Sequence, residues 1–235
     1  MILVNRSSTA LVVICLLAAI AAALFAVAPA SASTPYRYDN DLRWWVHNSL
    51  ELASYTETHG KTIPRPVEVR CYTNRQAFDL AAFRRGIYPP PIAYYPYDAG
   101  GGSAYYTGRN AIYMRAGTCA LAHDFVAGTY TARTVGAFTT LLHEALHRQG
   151  FVNERRTEAY AVAAMLTAGQ FVQYNLYLAN GADADLAWDA AEPTGEKVQR
   201  IAFDRANEML ARNYHITWSE VMSANARGWA ARLGL

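Results

Sequence analysis

The chain has 235 residues, of which 52% are hydrophobic, and carries 21 Lys+Arg against 19 Asp+Glu. A net charge of +2 gives no warrant for nucleic acid or an anionic membrane as partner. No internal repeat, low-complexity tract or interdomain linker is visible, which points to one domain with a sizeable core.

The amino terminus predicts the compartment. Met1 to Ser8 carries one basic residue, Arg6, and no acidic one; Ala10 to Ala28 is almost unbroken apolar sequence, and Ala30-Ser31-Ala32 is a small-x-small cleavage site. The expectation is a secretory signal peptide over 1–32 and a mature domain over 33–235, secreted to the extracellular side. The rival is an uncleaved anchor made by residues 10–28, since about twenty apolar residues can span a bilayer. Pro29 and the Ala-x-Ala favour cleavage, after which no membrane partner is expected. The mature part keeps Cys71 and Cys119. In an exported protein two cysteines read as one disulfide, the alternative being two buried thiols; neither has metal-ligand spacing.

Residues 38–58 predict a first helix whose aromatic face includes Trp44 and Trp45. Val67, Val69 and Cys71 alternate with Glu68 and Arg70, so 66–72 reads as a half-buried strand. Asn74 caps a helix through Arg85. Residues 87–106 break all periodicity with Pro89-Pro90-Pro91, Gly100-Gly101-Gly102 and six tyrosines. That segment is expected to be a loop, either a packing flap or a lid over a cleft. A short strand follows at 110–115. Val135, Phe138, Leu141, Leu142, Leu146 and His147 then recur at helical spacing, giving a buried helix over 134–149 that Gly150 stops. Asn153 caps a second long helix reaching about residue 178, and after Gly181 two more helices are expected, near 195–213 and 218–233.

The chemistry concentrates in His143-Glu144-Ala145-Leu146-His147. Histidines at i and i+4 project from one helical face a turn apart, so both imidazoles can reach a single ion. Glu144 can approach a water on that ion as general base. On the next helix Glu154 and Glu158 share a face with Ala161, Val162 and Met165. Two carboxylates on an apolar face need a partner, and a divalent cation is one. Glu144 and His147 also form the E-x-x-H of di-iron bundles, but that architecture needs a second copy, which the chain lacks. His47, His59, His123 and His215 have no ligand spacing and read as surface or structural.

Over about forty residues this helix pair resembles the zincin metallopeptidases, and within them the gluzincins. Their third zinc ligand is a Glu on the helix after H-E-x-x-H, followed by a small residue, an acidic or amide residue and often Ala at the offsets where Glu154 has Thr157, Glu158 and Ala161. The resemblance implies zinc held by His143, His147 and Glu154, with Glu158 orienting a ligand imidazole. Only six residues separate His147 from Glu154, a spacing close to the metzincins, which share Gly150 but place a His or Asp where this chain has Asn153. The third ligand therefore stands between Glu154 and Glu158, and the pattern favours Glu154. The implied fold is α+β and zincin-like: a small mixed sheet packed on the HExxH active-site helix, a mostly helical C-terminal half, and strand 110–115 as the edge that pairs with an extended substrate. The implied function is an exported zinc-dependent metallopeptidase, a hydrolase of peptide or protein substrates with Zn2+ as cofactor, Glu144 as general base, and Tyr160 or His215 assisting the oxyanion. Two other readings stay open. One is a zinc-bearing cell-surface or extracellular binding protein without turnover, for which Glu144 is dispensable. The other is a hydrolase of cell-wall peptide stems, weakened by the lack of an appended wall-binding repeat.

Overall fold

The structure is a computed structural model that describes residues 36–53, 68–73, 75–84, 104–106, 111–210 and 216–232. The expected signal peptide, His59, His215 and residues 87–103 of the expected loop lie outside the described residues. No helix among the described residues is long and apolar enough to cross a membrane. The fold is mixed α+β, mostly helical, with one small sheet.

Strands β1 (Tyr36–Tyr38), β2 (Glu68–Tyr72), β3 (Ala104–Tyr106) and β4 (Ala111–Met114) form a mixed sheet in the order β1-β2-β4-β3. β1 runs antiparallel to β2 and β3 antiparallel to β4, whereas β2 and β4 are parallel, pairing Val69 with Ile112 and Cys71 with Met114. Period-2 alternation sorts the side chains. Val69, Cys71, Ile112 and Met114 enter the main helical core, while Tyr72, Ala111 and Tyr113 form a second cluster with Phe78 on the other face.

Two strand expectations need correction. β4 is not the sheet edge: all four of its residues are buried, and it lies between β2 and β3. A strand apolar on both faces belongs inside a sheet, and Ala-Ile-Tyr-Met has no polar face to turn outward. The edge is β3, at the end of the segment expected to be irregular, where Tyr105 and Tyr106 carry strand propensity that the glycines before them mask. At the other edge, Tyr36-Arg37-Tyr38 pairs with β2, and helix α1 (Asn40–Ala53) starts only after it. Asp39 makes that start, its Oδ1 accepting from the Leu42 N–H at 3.0 Å.

Helix α2 (Arg75–Arg84) follows β2, as expected. Helix α3 (Ala116–Val126) was not legible in the sequence: its N-cap is Arg115, whose side chain makes no capping hydrogen bond. Burial of Cys119, Ala122 and Phe125 holds it against the core. Cys119 lies at disulfide distance from Cys71 of β2, with Cα atoms 5.9 Å apart at a sequence separation of 48. Such a closure is worth about 4 kcal/mol in the loop-entropy view. His123 of α3 also reaches Asp39, its Nε2 2.5 Å from Oδ2, so the strand, the α1 cap and α3 meet at one corner.

The remaining helices are α4 (Ala132–Arg148), α5 (Glu154–Ala179), α6 (Ala184–Leu210) and α7 (Trp218–Arg232). α6 begins well before the expected start near residue 195. Pro193 lies inside the helix, where a proline costs ~3 kcal/mol. Packing overrides it. Ala187, Ala191, Val198, Ala202 and Ala206 are buried in a stripe at helical spacing, and small residues let α6 lie close on α5. A Cβ on Gly195 would stand 2.8 Å from the Leu166 carbonyl oxygen of α5, and one on Gly169 2.8 Å from Val198.

Gly195→Ala should therefore destabilise the protein by about 1–3 kcal/mol, since a backbone oxygen cannot step aside as a side chain can. Gly117→Ala in α3, with nothing within 4 Å of the new methyl, should be neutral or stabilising by up to ~1 kcal/mol. Urea unfolding of both variants checks the contrast, and equal effects would refute the seam.

Candidate metal centre

α4 begins at a reciprocal cap. The Thr134 N–H donates to Thr131 Oγ1 at 3.2 Å, and the Thr131 N–H donates to Thr134 Oγ1 at 3.0 Å. Its apolar stripe, Val135, Phe138, Leu141, Leu142, Ala145 and Leu146, is buried, with Phe138 stacked on Phe125 at 4.6 Å. Each large side chain in that stripe contributes about 1.5–3 kcal/mol by leaving water. His143 and His147 lie at the margin of the stripe, with side chains 12% and 18% exposed.

The end of α4 is set by Gly150 at φ 97°. The Gly150 N–H donates to the His147 carbonyl at 3.0 Å and the Phe151 N–H to the Leu146 carbonyl at 3.2 Å. This paired closure needs a left-handed residue, which glycine supplies without strain. Asn153 then opens α5, its Oδ1 accepting from the Arg156 N–H at 2.9 Å. Glu154 is the first residue of α5 and faces back at α4.

Three donor atoms converge. His143 Nε2 and His147 Nε2 are 3.0 Å apart, and Glu154 Oε2 lies 3.0 Å from the first and 3.3 Å from the second. Tetrahedral ligands about 2.0–2.1 Å from one ion are separated by roughly 3.3 Å, so this spacing is that of three ligands on a shared cation. His143, His147 and Glu154 form a group able to hold a metal ion. Two imidazoles with one carboxylate suit a transition metal or zinc; calcium and magnesium take oxygen donors.

The outer nitrogens are also held. Glu158 Oε2 sits 2.6 Å from His143 Nδ1, and the Phe151 carbonyl oxygen 2.7 Å from His147 Nδ1. Fixing Nδ1 leaves each Nε2 lone pair aimed inward, the usual service of groups behind a metal ligand. Between the two open candidates for third ligand, Glu154 is the one whose oxygen meets both Nε2 atoms. Glu158 is buried behind His143 instead. The role of Phe151 was missed because a backbone carbonyl has no sequence signature; Gly150, which turns the chain toward His147, was its only trace.

Burial works against an imidazolium at His143, but the Glu158 carboxylate, with the charges of Glu144 and Glu154, outweighs it and raises the pKa above the ordinary histidine value. Glu144 lies between the ligands in sequence and is half-buried on α4. Tyr160 is 2% exposed and packs on Phe151 at 5.0 Å between ring centres, a core position away from open solvent. Val152 is 89% exposed in the turn beside the donors, and β3, an edge strand of the sheet among the described residues, packs against α4.

Glu154→Ala should abolish metal retention, whereas Glu158→Ala should weaken it by about 10- to 100-fold. Zinc titration of both variants against a chromophoric chelator gives the order, and the reverse order would exchange the two roles. The raised His143 pKa sets a direction with pH. Proton and metal compete for the same nitrogen, so affinity should fall by about tenfold per pH unit, for each proton displaced, as pH drops below that pKa. The same titrations between pH 5.5 and 8 check it, and a flat profile would contradict the assignment.

Comparison of the chain with protein-family models, with curated proteins and with solved structures finds no match, so the functional reading stands on this geometry and on the sequence pattern.

Proposed function

We propose that this chain is an exported zinc-dependent metallopeptidase of the zincin, gluzincin-like kind, hydrolysing peptide bonds in peptide or protein substrates. The observation that carries the reading is the convergence of His143 Nε2, His147 Nε2 and Glu154 Oε2 at 3.0–3.3 Å, with Glu158 and the Phe151 carbonyl behind the two rings. Three protein donors leave a fourth position open, which separates catalytic zinc sites from closed structural ones. Export rests on the leader over 1–32.

Bound zinc would supply Lewis acidity, bringing the pKa of water toward neutrality and polarising the scissile carbonyl. The remaining steps belong to the protein. His143, His147 and Glu154 fix the ion, and Glu158 keeps His143 in the tautomer whose Nε2 can donate its lone pair. Glu144, next to the first ligand, accepts the proton of the attacking water and returns it to the leaving amine, the double duty of a general acid–base. An extended substrate can add to the free edge of β3, where main-chain hydrogen bonds would hold it alongside α4.

The deciding experiment is metal analysis of the purified mature protein beside a peptide-library cleavage assay of the native chain and Glu144→Gln. One zinc per chain is expected in both, with cleavage by the native protein reduced at least ~100-fold in the variant. A chain without stoichiometric zinc would remove the reading. Zinc without cleavage would turn it into the binding-protein alternative, and cleavage confined to cell-wall peptide stems would select the third.

A further inference from the structure

The three donors of the metal centre are held unevenly. His143 and His147 are backed at Nδ1 by Glu158 and the Phe151 carbonyl, at 2.6 and 2.7 Å. Glu154 is the most open of the three, with 48% of its side chain exposed against 12% and 18%. It rides on the first turn of α5, where residues 152–156 are all exposed and Thr157 is the first buried one. Helix ends open locally at low cost, because their outermost backbone groups lack intrahelical partners. Of the three ligands, Glu154 is therefore the one placed to leave first.

A contact on the next residue fastens that turn to a distant part of the chain. Arg155 Nε donates to Glu220 Oε1 of α7 at 2.7 Å, across 65 residues. Exposed ion pairs usually contribute little, because two long side chains must be ordered to make one contact. Here one of them is ordered already. Glu220 Oε2 accepts from the Thr217 N–H at 2.6 Å and from Thr217 Oγ1 at 2.9 Å, while the Glu220 N–H donates to Thr217 Oγ1 at 3.2 Å. This reciprocal cap leaves Oε1 for Arg155. α7 is in turn seated in the core through Val221 and Ala224, and Trp218 packs edge-to-face on Phe203 of α6 with ring centres 4.5 Å apart. The contacts run unbroken from the core through α7, Glu220 and Arg155 to the turn that carries Glu154.

We propose that Arg155 and Glu220 form a latch that sets the rate at which the metal centre exchanges its ion. The inference rests on the metal reading of His143, His147 and Glu154, and not on peptidase activity. Release begins when the first turn of α5 opens and carries Glu154 away from the imidazoles. The latch breaks in that opening, so its whole strength appears in the release rate. Affinity responds less, because the latch is closed in the loaded and the empty chain alike. Arg155 and Glu220 are positioning residues that act through Glu154.

The test loads the mature protein with zinc and follows its transfer to excess chelator in the native chain, Glu220→Gln and Arg155→Met. Glutamine keeps an acceptor for the Thr217 cap, and methionine keeps the unbranched stem. The solution holds about 0.5 M salt, so that charges more than roughly 4 Å apart are largely screened. Release about two- to fivefold faster is expected in each variant, with no further gain in the double variant. The shared sign is diagnostic, since a field effect on the ion would act oppositely when an anion or a cation is removed. The exposed Arg205–Glu208 pair within α6, at 3.1 Å, serves as control, and Glu208→Gln should leave release unchanged. Zinc held by the native chain with release unaltered in both variants, or altered with opposite signs, overturns the latch and leaves the metal reading standing. Equal quickening in Glu208→Gln also overturns it, by assigning the effect to general loosening of the fold. A native chain that takes up no zinc removes the metal reading and the latch with it.

Discussion

The hydrogen bond from the Phe151 N–H to the Leu146 carbonyl, made possible by Gly150 in the left-handed region, is the constraint on which the metal centre depends. It ends α4 one residue after His147, at Arg148, and reverses the chain within the few residues before Asn153. The same reversal turns the Phe151 carbonyl onto His147 Nδ1 and brings the first residue of α5 opposite the histidines. A side chain at position 150 would strain that backbone, and neither the His147 orientation nor the Glu154 approach would survive a different exit from the helix. The Asn153 cap, worth about 1 kcal/mol, then fixes where α5 starts, and so which of its carboxylates comes first.

Electrostatics explains why this arrangement calls for a cation. Glu144, Glu154 and Glu158 all raise the His143 pKa, and Glu158 is buried beside it. A buried carboxylate such as Glu158 is tolerated when paired, and one imidazolium is modest compensation for it together with the two nearby carboxylates of Glu144 and Glu154. A divalent ion on the inner nitrogens would supply further positive charge while Glu158 stays on the outer one.

The legible parts were those written in side-chain spacing. The i, i+4 histidines, the buried stripe of α4, Gly150 as its stop and Asn153 as the next cap can each be read from a few adjacent residues, and each lies where that reading puts it. The small mixed sheet and the helical C-terminal half followed as well. The misses share a cause, which is that tertiary packing decided against local preference. A helix was expected to begin only near residue 195, yet α6 starts at Ala184 and runs through Pro193 because the alanine stripe on either side is buried against α5. α3 has a poor cap and still forms, since Cys119, Ala122 and Phe125 are held by the core. β4 was taken for an edge on the zincin resemblance; its burial on both faces, visible in Ala-Ile-Tyr-Met, was the better guide.

The correction at β4 bears on the functional proposal more than the other two. With β4 inside the sheet, the edge strand on that side among the described residues is β3, which packs directly against the helix carrying His143 and His147. β3 follows the tyrosine- and glycine-rich segment, so chain entering the edge comes from the stretch with the least regular sequence in the protein. The register is set from the other side: Ala104 opposes Met114, Tyr105 opposes Tyr113 and Tyr106 opposes Ile112, tying the edge to a strand anchored in the core. Under the proposed function, a fixed edge beside a fixed pair of imidazoles would hold a peptide carbonyl for attack on its face, since misplacement by an ångström forfeits much of the benefit of orientation. The rigidity comes from the buried strand, and the access comes from the edge strand beside it.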